Sequence, residues 1–204
     1  MTELTSVVEW AVAGRPIAGE RRSGDRALVL AAGREALVAA VDGVGHGPAA
    51  AQAADVAVGA LREGPWSDVV ALIQRCHAAL RVTRGAAVGL AVLRDDGTVT
   101  WLGVGDISGR LVRAGEPSPA GGYWLGSQIG VAGDDLPRLR PTTLPLRRGD
   151  VLVLTTDGID GAYAGELGAT GPCDEIAERV LRLHARTTDD ALVVAARYLG
   201  EDPE

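Results

Sequence analysis

Phenylalanine and lysine are absent from this 204-residue chain, and aromatic residues make up only 3% of it. Platforms for stacking single-stranded bases are therefore scarce. Positive charge comes from scattered arginines, and the formal net charge is −7. An acidic chain without a basic stripe has little affinity for a phosphate backbone, so nucleic-acid binding is disfavoured. Cys76 and Cys173 are the only cysteines, and neither lies in a Cys-x-x-Cys pair. Structural zinc and thiol catalysis are disfavoured accordingly, and both read as packing residues. No uncharged apolar run reaches roughly eighteen residues, so no membrane span is expected. Residues 1–10 hold Glu3 and Glu9 and no basic residue, unlike a secretory leader. A cytoplasmic protein without membrane partners is expected.

What is present suits a folded domain. Hydrophobic residues are 47% of the chain, the ordinary globular share. The length suits one domain over residues 1–204, with a core at about 6–199. Arg26 to Ala32 and Glu35 to Val41 read as strands joined by Ala32-Gly33-Arg34. Ala49 to Arg62 is Ala-rich and reads as a helix, with Pro48 in its first turn. A second helix runs to about Arg81, capped by Ser67 or Asp68, with Val69, Leu72, Ile73, Cys76 and Leu80 on one face. Ala86 to Leu93 and Thr98 to Val104 flank a hairpin loop, Arg94 to Gly97. Shorter strands are expected at Arg110 to Arg113 and Arg138 to Leu146, with an exposed loop at Gly115 to Gly122 between them. Val151 to Thr156 reads as a strand. Asp174 to Ala185 reads as an amphipathic helix with Ile176, Val180, Leu181 and Leu183 apolar. Ala191 to Ala196 reads as a buried strand. Hairpins dominate and βαβ alternation is missing, so the fold class is α+β, with helices packed on antiparallel sheets.

Chemistry is signalled by Asp42-Gly43, Asp157-Gly158 and Asp189-Asp190. The first two end apolar strands, where an unpaired carboxylate is costly unless it is hydrogen-bonded, paired or metal-bound. The following glycine is expected to permit a sharp turn with positive φ. Several such carboxylates meeting at one place would offer oxygen ligands to a hard divalent cation.

Asp42-Gly43-Val44-Gly45-His46-Gly47, Leu154 to Ile159 and Thr188 to Ala191 resemble, in order, the motifs of the metal-dependent (type 2C) serine/threonine protein phosphatases. Ser23-Gly24-Asp25 resembles that family's N-terminal Gly-Asp motif. Leu146 to Asp150 resembles the segment before the second Asp-Gly strand in bacterial members. The short length and the Asp-Gly-x-Gly-His-Gly form are most similar to RsbX-like stressosome phosphatases of the SpoIIE/RsbU branch. The sequence departs from the family at Leu192, where a Thr is usual.

The resemblance implies an αββα sandwich of two packed antiparallel β-sheets flanked by helices, with two Mn²⁺ or Mg²⁺ ions at one end. It implies that Asp42 bridges the ions, that the Gly43 carbonyl binds one, and that Asp157 and Asp189 complete the other. Asp25 would act through metal-bound water, and His46 is a candidate general acid. Arg21 and Arg22 stand where larger relatives hold phosphate but read here as solvated charge. Asp106 reads as loop structure. The implied substrates are phosphorylated STAS-domain proteins of a bacterial stress-signalling complex, the stressosome. The alternatives are a phosphatase of a free phosphorylated anti-anti-sigma factor, a degenerate binding module, and a small metal-dependent nuclease, which the charge disfavours.

Overall fold

A computed structural model describes residues 7–115 and 122–201. Two five-stranded antiparallel sheets form the body. One has the order β1 (Val8–Arg15), β10 (Ala191–Tyr198), β9 (Val151–Thr155), β6 (Ser108–Val112), β7 (Tyr123–Leu125). The other has the order β2 (Asp25–Ala32), β3 (Glu35–Gly43), β4 (Ala86–Arg94), β5 (Thr98–Val104), β8 (Thr142–Pro145). Helices α1 (Gly47–Arg62) and α2 (Val69–Leu80) cover the second sheet, and α3 (Cys173–His184) covers the first. The αββα sandwich expected from the motifs is the fold found.

Strand β3 shows why its apolar run is unbroken. Its residues alternate between faces, and both faces are buried. Leu37, Ala39 and Val41 pack under α1 and α2. Ala36, Val38 and Ala40 pack between the sheets, against Leu152, Leu154, Val194 and Ala196 of the facing sheet. Trp101 lies in this inter-sheet layer, 2% exposed, and its indole N–H donates to the Gly126 carbonyl at 3.0 Å. The α2 face consists of the residues its periodicity marks: Val69, Leu72, Ile73, Cys76 and Leu80 are all buried. Asp68 caps the helix by accepting from the Val70 and Ala71 amides. On α3, Ile176 and Val180 are buried as expected, but Leu183 is exposed.

Three elements depart from the sequence reading. Strand β1 was not expected, because its alternation is blurred: it is an edge strand with Trp10 and Val12 exposed. Strand β7 is only three residues long and follows the Gly/Pro-rich segment. The strand expected over Arg138 to Leu146 shortens to Thr142–Pro145, where prolines at 137, 141 and 145 limit the ladder. Of the expected loop Gly115 to Gly122, residues 116–121 lie outside the described part.

The loop before β9 is fixed by Asp150, which is 1% exposed. Its carboxylate accepts from Arg113 at 2.5 Å and from the Ala114 and Arg147 amides at 2.9 Å each. Among the described residues no helix is long and apolar enough to cross a membrane.

Candidate metal centre

The acidic residues gather at one end of the sandwich because the strands that carry them end there. Asp25 opens β2 and is paired directly with Asp42 near the end of β3. Asp157 follows β9, and Asp189 and Asp190 precede its neighbour β10. Asp42, Asp157 and Asp189 line one cavity of about 190 Å³, together with Val44, Gly45, Ala87, Gly105, Asp106, Gly130 and Val131.

Asp25 is 5% exposed. Its Oδ2 accepts from the Thr156 hydroxyl at 2.8 Å, while its Oδ1 is buried with no hydrogen-bond partner. Thr156 is itself held by the Leu192 amide, which donates to its Oγ1 at 3.0 Å. Leu192, the departure from the family motif, serves here through its backbone, and its side chain joins the inter-sheet core.

Electrostatics reports the crowding. Burial raises the Asp25 carboxyl to about 7, with Asp190, Asp157 and Asp189 adding repulsion and the Thr156 bond opposing it. Burial, then Asp25, Asp157, Asp106 and Asp189, push Asp42 up to about 9. Asp157 is raised by burial and by Asp106 and Asp189, and is lowered by a hydrogen bond with Asp42 and by Arg186. Mutually repelling carboxylates favour the charged state only when a cation offsets them.

Adjacent aspartates divide the work. Asp190 is buried and accepts from the Ile17 amide at 2.7 Å and the Gly24 amide at 2.6 Å. It therefore seats the segment leading to Asp25. Asp189 lines the cavity. Asp106, read from sequence as plain loop structure, also lines the cavity. The signal for it is weak, since a lone Gly-Asp in a loop is ordinary turn chemistry.

The glycines of the two Asp-Gly pairs require a correction. Neither Gly43 nor Gly158 has positive φ. They are needed because other backbone comes close. A Cβ on Gly43 would stand 2.1 Å from the Ala50 carbonyl oxygen, and one on Gly158 would stand 1.8 Å from that of Asp190. His46 precedes α1 and is exposed, with its Nδ1 3.4 Å from a Glu20 carboxylate oxygen. It is not among the residues that line the cavity. Arg22 and Arg26 both bind Asp55, at 3.3 and 2.7 Å.

The donor set fits a hard divalent ion. Its groups are carboxylates, and among the described residues one buried oxygen lacks a partner and no cationic side chain lines the cavity. Among the described residues no three His, Cys, Asp or Glu side chains by themselves form a group that could hold an ion.

The family model described as Stage II sporulation protein E (SpoIIE) matches residues 32–199. A solved structure described as "The bacterial stressosome: a modular system that has been adapted to control secondary messenger signaling" is 28% identical, with a TM-score of 0.84, covering 93% of this chain and 99% of that chain. RsbX in complex with magnesium is 20% identical, with a TM-score of 0.81, covering 94% and 95%. The catalytic domain of the serine/threonine phosphatase PstP in complex with 2 manganese ions is 19% identical, with a TM-score of 0.64, covering 96% and 100%. No curated protein matches the chain. The fold is the one shared with RsbX and with the PstP phosphatase domain. By the family model the chain belongs to the SpoIIE family.

Proposed function

We propose that this chain is a single phosphatase domain that hydrolyses phosphoserine or phosphothreonine on STAS-domain regulators of a stressosome-type complex. The observation that carries the catalytic part is the meeting of Asp25, Asp42, Asp157 and Asp189 at one end of the sandwich, with a buried Asp25 oxygen lacking a partner. The substrate part is supported by the 28% identical stressosome-related structure and by the RsbX match.

In this reading Asp42, Asp157, Asp189, the Gly43 carbonyl and, less directly, Asp25 hold Mn²⁺ or Mg²⁺, two ions in all. Such ions lower the pKa of water and stabilise charge on the attacking and leaving oxygens. The chain supplies the frame. The β2–β3 pairing fixes the spacing of Asp25 and Asp42. Thr156 orients Asp25, and Asp190 seats Gly24 beside it. His46, at the start of α1, would reach the leaving oxygen only by turning from Glu20 toward the cavity.

The test sets a phosphorylated STAS-domain protein beside a free phosphorylated anti-anti-sigma factor, each with Mn²⁺, Mg²⁺ or EDTA. Metal-dependent release of phosphate from the first, at least tenfold faster than from the second, is expected. Release from neither would sink the proposal, and a preference for the second would move the substrate assignment to it.

A further inference from the structure

We propose that Arg84 holds the phosphate group of the substrate at the mouth of the acidic cavity, an inference that rests on the phosphatase reading above. A phosphate monoester entering this site meets Asp42, Asp106, Asp157 and Asp189, and among the described residues no cationic side chain lines the cavity. Divalent ions offset part of that repulsion. A guanidinium at the rim would add two parallel N–H donors suited to phosphate oxygens.

Arg84 is placed for this. Its Nη1 lies 3.0 Å from the point a Cβ on Gly45 would occupy, and Gly45 is part of the cavity wall. The absence of that Cβ leaves the guanidinium room to lie against the loop. The backbone around Arg84 is held from both sides of the cavity mouth. The Gly85 carbonyl accepts from the amide of Val44, a wall residue, at 3.1 Å. A Cβ on Gly85 would stand 2.7 Å from Val131, another wall residue. The Thr83 hydroxyl accepts from the Gly85 amide at 3.0 Å and donates to the Leu80 carbonyl at 2.7 Å.

The neighbouring arginines are committed elsewhere. Arg22 and Arg26 bind Asp55, and Arg186 lies 3.5 Å from Asp160. Arg84 itself is exposed and makes no ion pair or side-chain hydrogen bond among the described residues. An exposed cation against a loop of the cavity wall, with no carboxylate bonded to it among the described residues, is available to an incoming anion.

The experiment uses the full chain as wild type, Arg84→Ala, Arg84→Lys and the control Arg81→Ala. Three quantities are measured: KM and kcat for Mn²⁺-dependent hydrolysis of p-nitrophenyl phosphate, the Kd of inorganic phosphate for the Mn²⁺-loaded protein, and the Kd of Mn²⁺ alone. Arg84→Ala should raise KM and the phosphate Kd about tenfold or more, the loss expected for a charge-assisted bond. It should change kcat less than about threefold and leave Mn²⁺ binding unweakened, because removing a positive charge cannot repel the ion. Arg84→Lys should recover part of the loss, and Arg81→Ala should show none. Unchanged KM and phosphate Kd in Arg84→Ala overturn the proposal while wild-type hydrolysis keeps the phosphatase reading. Weakened Mn²⁺ binding in step with KM also overturns it, by making Arg84 a support of the loop. A wild type that binds phosphate through Arg84 yet hydrolyses nothing removes the enzyme and keeps the anion site. A wild type that does neither removes both.

Discussion

Asp25 and Asp42 are directly paired across the β2–β3 ladder, so two carboxylates face each other at one end of a sheet. Like charges at opposed positions destabilise a sheet. The surroundings add to the conflict: Asp25 is almost fully buried, and Asp157 and Asp189 contribute further repulsion. A fold that fixes this pair so firmly gains from a cation what it loses without one.

The metal-free protein should therefore lose stability as pH rises. Folding raises the Asp25 carboxyl from 3.8 to about 7 and that of Asp42 from 3.8 to about 9. Between those limits the folded state binds more protons than the unfolded one, so stability falls with increasing pH. Their contribution is complete below about pH 4 and is lost progressively as pH passes 7 and then 9. Urea melts in EDTA from pH 5 to 9 should show the decline, and Asp42→Asn should flatten it. Equal slopes for the two proteins would contradict the placement of these carboxylates.

The same substitution separates function from folding. Asp42→Asn should reduce Mn²⁺-dependent hydrolysis by more than about a hundredfold, since an ion at a phosphoryl oxygen supplies several kcal/mol. At pH 8 in EDTA its Tm should equal or exceed that of wild type, because folding no longer has to protonate a carboxyl whose folded value is about 9. The rise in Tm that Mn²⁺ gives the wild type should vanish. A variant that melts well below wild type in EDTA would instead assign Asp42 a structural role.

Asp189 and Asp190 offer a sharper contrast within one dipeptide. Asp190 accepts from two backbone amides, those of Ile17 and Gly24. Asp190→Ala leaves both donors without that partner and should cost about 3 kcal/mol of stability. Asp189 lines the cavity, and among the described residues its carboxylate accepts only from the neighbouring Asp190 amide, at 2.8 Å. Asp189→Ala should cost under about 1 kcal/mol and still weaken Mn²⁺ binding. Chemical denaturation and metal titration of both variants check the split, and a large stability loss in Asp189→Ala would reverse it.

Much of this was legible in the sequence because it depends on local pattern. The unbroken apolar run of β3, the periodicity of α2 and the Asp-Gly strand ends all state themselves in consecutive residues. What stayed hidden depends on distant chain. Strand β1 is defined by pairing with β10, from Val8 opposite Tyr198 to Arg15 opposite Ala191, and its exposed Trp10 and Val12 obscure its pattern. Asp106 joins the site only because β5 and β6 deliver their connecting loop to the cavity. Asp189 could be told from Asp190 only through family resemblance. The physical difference, two amides on Asp190, comes from segments more than 160 residues earlier.

The role of Gly158 follows from that long-range packing and supports a last prediction. Its backbone does not need a left-handed conformation, so strain in φ is not what forbids a side chain. Contact forbids it. An alanine Cβ would lie 1.8 Å from the Asp190 carbonyl oxygen and 2.8 Å from its carbonyl carbon. Backbone on both sides must then move apart, and overpacking of this kind costs about 1–3 kcal/mol or more. The displaced segment carries Asp189 at the cavity and the Asp190 carboxylate that seats Gly24. Gly158→Ala should therefore lower stability and Mn²⁺ affinity together, unlike Asp189→Ala, which should affect affinity far more. Gly161→Ala is the matched control: nothing lies within 4 Å of its added Cβ, and it should shift stability by no more than about 0.5 kcal/mol. Urea denaturation with parallel Mn²⁺ titration reads both effects. If Gly158→Ala keeps full metal affinity despite losing stability, the Asp189 carboxylate is not positioned through this contact.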